Sequence, residues 1–248
     1  MDHKAFIKET GNKKCAVLML HGILSTPRHF DFLIPAIPTD VSIYNIVLDG
    51  HGGSVDDFSK TNMKKWKQQV DDTLSDLCSR YEKVVVVGFS MGTLLAIDAQ
   101  KNHPNVSSLL LLNCPLKIFV RPKMHIWSIR ICFGYADKNN VHMMKCKDDT
   151  SINLTKKMWK YIAWIPHGLS LLALSRDCRK IANDINVPCI AYFGRKDELV
   201  SVKSEKYLRD NKNAETTIFD SAGHFFIEEN DKDTIRKSLS KLISDAQK

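Results

Sequence analysis

Short apolar runs alternate with amphipathic stretches along much of the chain. Cys15-Ala16-Val17-Leu18-Met19-Leu20, Val41–Leu48, the valine run Lys83–Val87, Ser107–Leu112, Val187–Gly194 and Glu215–Phe219 are rich in β-branched and aliphatic residues and short, so they predict strands; Ala5–Glu9 is a short first strand. Between them, Pro27–Ile34 predicts a short helix ended by Pro35 and Pro38. Ser59–Arg80 predicts a long helix, because Met63, Trp66, Val70, Leu74 and Leu77 recur at spacings of three and four and form one stripe. Thr93–Gln100 and Ser201–Asn211 are also helical, as is Asp231–Ala246, with Ile235, Leu239 and Leu242 on its inner face. Strand alternating with helix predicts an α/β fold with a mostly parallel, doubly wound sheet covered on both faces.

The alternation stops at Pro115 and resumes near Asp184. Residues 1–114 and 184–248 are expected to form the α/β core, and 115–183 a helical cap, or lid, inserted over the carboxyl edge of the sheet. Pro122 and Pro166 break this segment into pieces. Most of its aromatic and methionine side chains are expected to fill the cap's own small core. Trp127, Trp159 and Trp164 are the candidates for lining a substrate pocket.

Composition narrows the class. The 248 residues are 44 % hydrophobic and 26 % charged, ordinary globular values. No run of 18 apolar residues exists, so no transmembrane helix is expected, and the first residues lack the apolar core of a signal peptide, which makes the cytoplasm the expected location. Seven cysteines, without a C-x-x-C pair, are expected to be reduced and mostly buried. The net charge of +8 is uneven: Pro115–Lys180 carries 13 Lys and Arg against 4 Asp and Glu, a net +9, and the remainder, 23 against 24, nets −1. Such an excess either attracts anionic substrates or surfaces or simply solvates a helical exterior. No arginine–aromatic pattern points to nucleic acid.

The chemistry centres on Gly88-Phe89-Ser90-Met91-Gly92, which lies between the valine strand and a helix. Strand, sharp turn and helix with serine at the apex is the setting of a nucleophile elbow. A serine hydroxyl needs a base, and the base needs a carboxylate to fix its tautomer. His224 follows the last predicted strand and Asp197 the one before it, in the order Ser, Asp, His. His51, His21, His29 and His167 compete as bases, and Asp220 and Asp184 as acids; Asp197 could instead cap a helix, although Ser201 is better placed to do so. The backbone N–H groups of Ile23 and Met91 are the expected oxyanion donors, with His21 orienting the first of these loops.

Five motifs together, Leu20-His21-Gly22, Asp49-Gly50-His51-Gly52, the Gly88–Gly92 pentapeptide, Gly194-Arg195-Lys196-Asp197 and Gly223-His224, span nearly the whole chain. The sequence resembles serine hydrolases of the α/β-hydrolase fold, and most of all small bacterial carboxylesterases and monoacylglycerol-lipase-like enzymes. It departs from them in having no proline between Asp49 and Gly50, and Thr93 where a second glycine is common. The resemblance implies hydrolysis of short- to medium-chain acyl esters or monoacylglycerols through a Ser90–His224–Asp197 triad, without metal or organic cofactor, on a small ester with an apolar acyl group. A thioesterase, a lysophospholipase or a C–C bond hydrolase would use the same triad. A non-catalytic binding protein on the same scaffold is the reading from another class. Serine at the elbow argues against dehalogenase or epoxide-hydrolase chemistry, which resembles a scheme with an aspartate nucleophile.

Overall fold

The valine run becomes the middle strand of a seven-stranded sheet. The computed structural model describes residues 3–248. The strands are β1 (Phe6–Lys8), β2 (Cys15–Leu20), β3 (Ser42–Ile46), β4 (Lys83–Phe89), β5 (Val106–Leu112), β6 (Cys189–Gly194) and β7 (Ala214–Phe219). Their spatial order is β1-β3-β2-β4-β5-β6-β7, and only β1 runs antiparallel to its neighbour. This is the mostly parallel, doubly wound sheet that the α/β alternation predicts.

Period-two side-chain alternation divides each central strand between two cores. Leu18 and Leu20 of β2 and Val84 and Val86 of β4 face one layer; Val17 and Met19, with Val85 and Val87, face the other. The first layer holds α2 (Met63–Arg80), α3 (Met91–Gln100) and α6 (Ile165–Ile181), through Trp66, Leu74, Leu94 and Leu174. The second holds α7 (Glu229–Ala246), through Ile235 and Leu239, and the turns that bury Phe30 and Leu33. Burial on both faces explains why the central strands are continuous apolar runs, each buried valine contributing about 1.5–3 kcal/mol.

Several boundaries move for identifiable reasons. The long helix does not start at Ser59. Ser59 ends a separate short helix, α1 (Val55–Ser59), which opens with a Ser54–Asp57 capping box, and α2 starts after Asn62, whose side chain accepts the Lys65 N–H. The predicted stripe from Met63 to Leu77 is buried throughout. Pro27–Ile34 is not one helix but a 3-10 turn over Pro27–Phe30, followed by another over Ile34–Ala36. Ser201–Asn211 shortens to a 3-10 turn over Val202–Tyr207, because the Ser204 hydroxyl bonds the Lys117 backbone and Asn211 bonds the carbonyls of Ala182 and Ile185.

Between β5 and β6 the chain runs through α4 (Pro122–Phe133), α5 (Val141–Asp149), a 3-10 turn over Met158–Trp164, and α6. Pro122 is the first residue of α4 and Pro166 the second of α6. They start helices rather than break them, since a first-turn residue has no intrahelical N–H bond to lose.

Candidate active site

Five of the polar residues singled out in the sequence lie in loops beyond the carboxyl ends of strands. His21 follows β2, His51 follows β3, Ser90 follows β4, Asp197 follows β6 and His224 follows β7. Parallel strands that share one direction bring these loops to one edge.

Crowding at the turn sets the direction of Ser90. Its backbone has φ 49° and ψ −120°, a strained conformation for a residue with a side chain. A Cβ on Gly88 would lie 2.7 Å from the backbone N and Cα of Thr93, and one on Gly92 would fall on the Leu20 carbonyl. β2, β4 and α3 therefore meet with no room for side chains there, and Ser90 is left pointing out of the turn. Thr93 secures it: its hydroxyl and its N–H both donate to the Ser90 carbonyl, at 2.6 and 2.9 Å.

Ser90, His224 and Asp197 come together. His224 Nε2 lies 3.1 Å from Ser90 Oγ, and His224 Nδ1 lies 2.8 Å from Asp197 Oδ2. The other Asp197 oxygen accepts the N–H groups of Leu199 and Val200, both at 2.7 Å. An ionised carboxylate only accepts, so Nδ1 carries the imidazole proton and Nε2 is free to accept from the serine hydroxyl. All three are buried, with Ser90 only 7 % exposed. Ser201, and not Asp197, caps the turn that follows, accepting the Lys203 N–H.

The rival residues have other partners. Asp220 pairs with Arg195 at the surface, Asp184 is exposed, and His167 bonds the Thr61 carbonyl. His29 stacks on Phe89 and bonds Asp149. His21 and His51 form a neutral pair, edge to face at 4.7 Å. His21 Nδ1 donates to the Gly22 carbonyl and Nε2 accepts the Leu48 N–H. His51 donates from Nδ1 to the carbonyls of Leu48 and Asp49 and accepts the Leu24 N–H at Nε2. Burial holds the His21 pKa well below its usual range and lowers that of His51 to about 4. Together they fix residues 21–24, where Gly22 sits so close that a Cβ would lie 3.0 Å from that of Ser90. Neither the Ile23 nor the Met91 N–H has an acceptor among the described residues.

Two side chains that sequence reasoning passed over hold the His224 loop from both sides. Glu198, 2 % exposed, accepts the His224 N–H at 2.9 Å. Its second oxygen meets Lys123 of α4 at 3.0 Å and His142 of α5 at 3.5 Å. Asn113, at the end of β5, donates to the carbonyls of Gly223 and His224 and accepts the Gly194 N–H. A carboxylate directly after Asp197, and an amide ending an apolar strand, are the signals that could have found them.

The three tryptophans do not converge. Trp127 is buried with Met124, Met143 and Cys146 in a small core that Leu199 and Phe225 also touch. Trp164 fastens the segment to α1, its indole N–H donating to Ser59 Oγ. Trp159 is 65 % exposed, because it lies on the outward line of its 3-10 turn. The seven cysteines are free thiols, five of them buried. Among the described residues no three His, Cys, Asp or Glu side chains are grouped as a metal site requires, and no helix is long and apolar enough to cross a membrane.

Known proteins share this architecture. The model of the alpha/beta hydrolase family matches residues 17–237. The thermostable monoacylglycerol lipase of Bacillus sp. (strain H-257) is 27 % identical over 108 residues, which is 43 % of each chain, so the match spans less than half of that relative. The monoglyceride lipase homolog of Monkeypox virus is 24 % identical over 93 % of this chain and 88 % of its own. Among solved structures, one of the metagenome-derived lipolytic enzymes LipS and LipT superposes with a TM-score of 0.74 at 14 % identity, covering 97 % of both chains. The monoacylglycerol lipase of Paleococcus ferrophilus gives 0.67 at 17 %, covering 98 % of this chain and 99 % of its own.

Two stability measurements check this geometry. Gly92→Ala should lower the free energy of urea unfolding by about 3 kcal/mol or more, because its methyl group meets backbone. Gly168→Ala, in α6 with open space around it, should raise it by up to about 1 kcal/mol. The pH response follows from His51. The unfolded chain takes up its proton near the ordinary histidine value of 6.5 and the folded chain only near 4, so the unfolded state binds more protons between those values. Stability should be full above about pH 6.5 and fall as the pH drops toward 4, by on the order of 3 kcal/mol from this group, with His21 adding in the same direction. His51→Gln, which keeps an acceptor for Leu24, should flatten that slope in denaturation midpoints measured from pH 7.5 to 4.5.

Proposed function

Because this chain belongs to the alpha/beta hydrolase family, we propose that it hydrolyses carboxylic esters of short- to medium-chain acids, monoacylglycerols included, with Ser90 as nucleophile. The observation that carries this reading is the relay from Ser90 Oγ through His224 to Asp197, at 3.1 and 2.8 Å. His224 Nε2 takes the hydroxyl proton as Ser90 Oγ bonds to the ester carbonyl carbon. The carbonyl electron pair moves onto oxygen, where the N–H groups of Ile23 and Met91 receive it, a stabilisation of about 3–4 kcal/mol per donor. The carbon–oxygen bond to the leaving group breaks, and His224 returns the proton to the departing alcohol. Water, activated by the same imidazole, then releases the acid and restores Ser90. Asp197 stays ionised throughout and stabilises the imidazolium.

Residues 115–183 act as the cap in this reading. They bond to the loop that supplies Ile23: the Ser151 N–H donates to the Leu24 carbonyl at 2.8 Å, and Asp149 receives the Ser25 hydroxyl. The names of the monoacylglycerol lipases among the relatives support a monoacylglycerol substrate. The apolar cluster of Trp127, Leu199 and Phe225 beside the loops of Asp197 and His224 supports an apolar acyl group.

A fluorophosphonate probe should label the wild-type protein on Ser90 and leave Ser90→Ala unlabelled; equal labelling of both would remove Ser90 as nucleophile. Asp197→Asn should reduce kcat by roughly 10⁴-fold, since the amide favours the wrong imidazole tautomer. Turnover on a panel of p-nitrophenyl esters, monoacylglycerols, lysophospholipids and acyl-CoA thioesters ranks the substrate classes, and buffer-level rates on every ester would exclude the proposal. Glu198→Ala should lower kcat about ten-fold, equivalent to ~1.4 kcal/mol, by freeing the His224 N–H. Glu198→Gln, which retains an acceptor, should recover part of that loss with KM little changed.

A further inference from the structure

Twelve of the fourteen exposed large apolar side chains among the described residues lie between Phe119 and Leu172. Their arrangement is regular. Trp159 and Ile162 are three residues apart in the 3-10 turn, where side chains at that spacing eclipse, and Ile165, three further on, opens α6. Ile165, Leu169 and Leu172 then follow at α-helical spacing in α6, extending the same line. All five from Trp159 to Leu172 are at least half exposed. The opposite side of this segment is also apolar: Tyr161, Trp164, Leu171 and Leu174 pack on the main core. A helix apolar on both sides is ordinarily buried on both, and here only the inner side is covered.

Charge identifies what the outer side meets. The segment's net +9 stands against −1 for the rest of the chain. Lys156 and Lys157 immediately precede the line and form no ion pair among the described residues. At the other end, Arg176 and Arg179 share a surface hollow with Leu169, Leu172 and Ile118. We infer that this outer face docks on an anionic lipid surface, with the aliphatic line and Trp159 entering the headgroup boundary and the lysines and arginines meeting lipid phosphates. Long basic side chains can lay their stems on an apolar surface and extend their charges to the headgroups, and a tryptophan suits the interface. Each basic residue near such a surface adds attraction that salt screens. A second copy of the chain fits poorly, because the same positive face would meet itself. Isoleucine and leucine offer nucleic-acid bases no stacking surface.

Docking does not depend on the chemistry at Ser90, so the test uses the full chain carrying Ser90→Ala and reads binding alone. The protein is sedimented with phosphatidylcholine vesicles, with or without about 30 mol % phosphatidylglycerol, at low and high salt. It should pellet with the anionic vesicles at low salt and far less with the neutral ones or in high salt. Ile162→Asp with Leu169→Asp should lower the vesicle affinity at least ten-fold, while Phe6→Asp, an exposed apolar residue on the edge strand β1, leaves it unchanged. Urea unfolding of each variant confirms that it is folded. Failure of wild type to pellet with anionic vesicles, or equal pelleting of the double variant, overturns the inference. So does a dimer in size-exclusion chromatography that the double variant turns into a monomer, because the face would then be a self-association surface.

Discussion

The close approach of β2, β4 and α3 around Ser90 governs the rest of the molecule. Gly92 lies against the Leu20 carbonyl and Gly88 against the Thr93 backbone, so one crowded point fixes both the helix and the neighbouring strand end. The strain in the Ser90 backbone persists because the elements around it are buried on every side, and their packing over-determines the turn. The same contact brings residues 21–24, at the end of β2, beside the serine. A single steric constraint therefore places a hydroxyl, a helix N-terminus and a loop of backbone N–H groups within one small volume.

The nine histidines of the chain illustrate how surroundings divide one side chain among different tasks. His21 and His51 are deeply buried with carbonyl and N–H partners and no carboxylate, so burial keeps them neutral and their role is to hold backbone. His224 is as deeply buried but has an aspartate on one nitrogen and a hydroxyl on the other. The neutral pair has no such carboxylate on either ring. The His224 main chain is held as firmly as its ring, by Glu198 on its N–H and Asn113 on its carbonyl. Glu198 also reaches Lys123 and His142, so the loop carrying His224 is joined to the helices between β5 and β6 through one buried carboxylate.

The sheet was legible because a parallel sheet covered on both faces writes itself as apolar runs: Cys15–Leu20 appears as β2 without a shift, and the valine run as the core of β4. The meeting of Ser90, His224 and Asp197 was legible because each follows such a run. Boundaries set by single side-chain hydrogen bonds were not. Nothing in the apolar pattern shows that Asn62 rather than Ser59 opens α2, or that Ser204 and Asn211 divert a helix-like stretch into 3-10 geometry. Proline was ambiguous for a related reason: Pro122 and Pro166 forbid a helix before them as much as they favour one after, and only the three-dimensional course decides which. Tryptophan composition could not separate Trp127 from Trp159, since burial depends on which line of the helix a residue occupies.

The segment between β5 and β6 is apolar on two opposite sides. Its inner side packs Tyr161, Trp164, Leu171 and Leu174 on the main core. A segment with that task alone would carry a polar exterior, as α7 does around Ile235, Leu239 and Leu242. This one instead spends its exterior on Ile162, Ile165, Leu169 and Leu172, a cost in solubility that its lysines and arginines offset. The two sides belong to the same short elements, the 3-10 turn over Met158–Trp164 and α6. The bonds to the loops beside Ser90 come instead from earlier in the segment, Ser151 on the Leu24 carbonyl and Lys123 of α4 on Glu198, so packing on the core and attachment to those loops are divided between different elements.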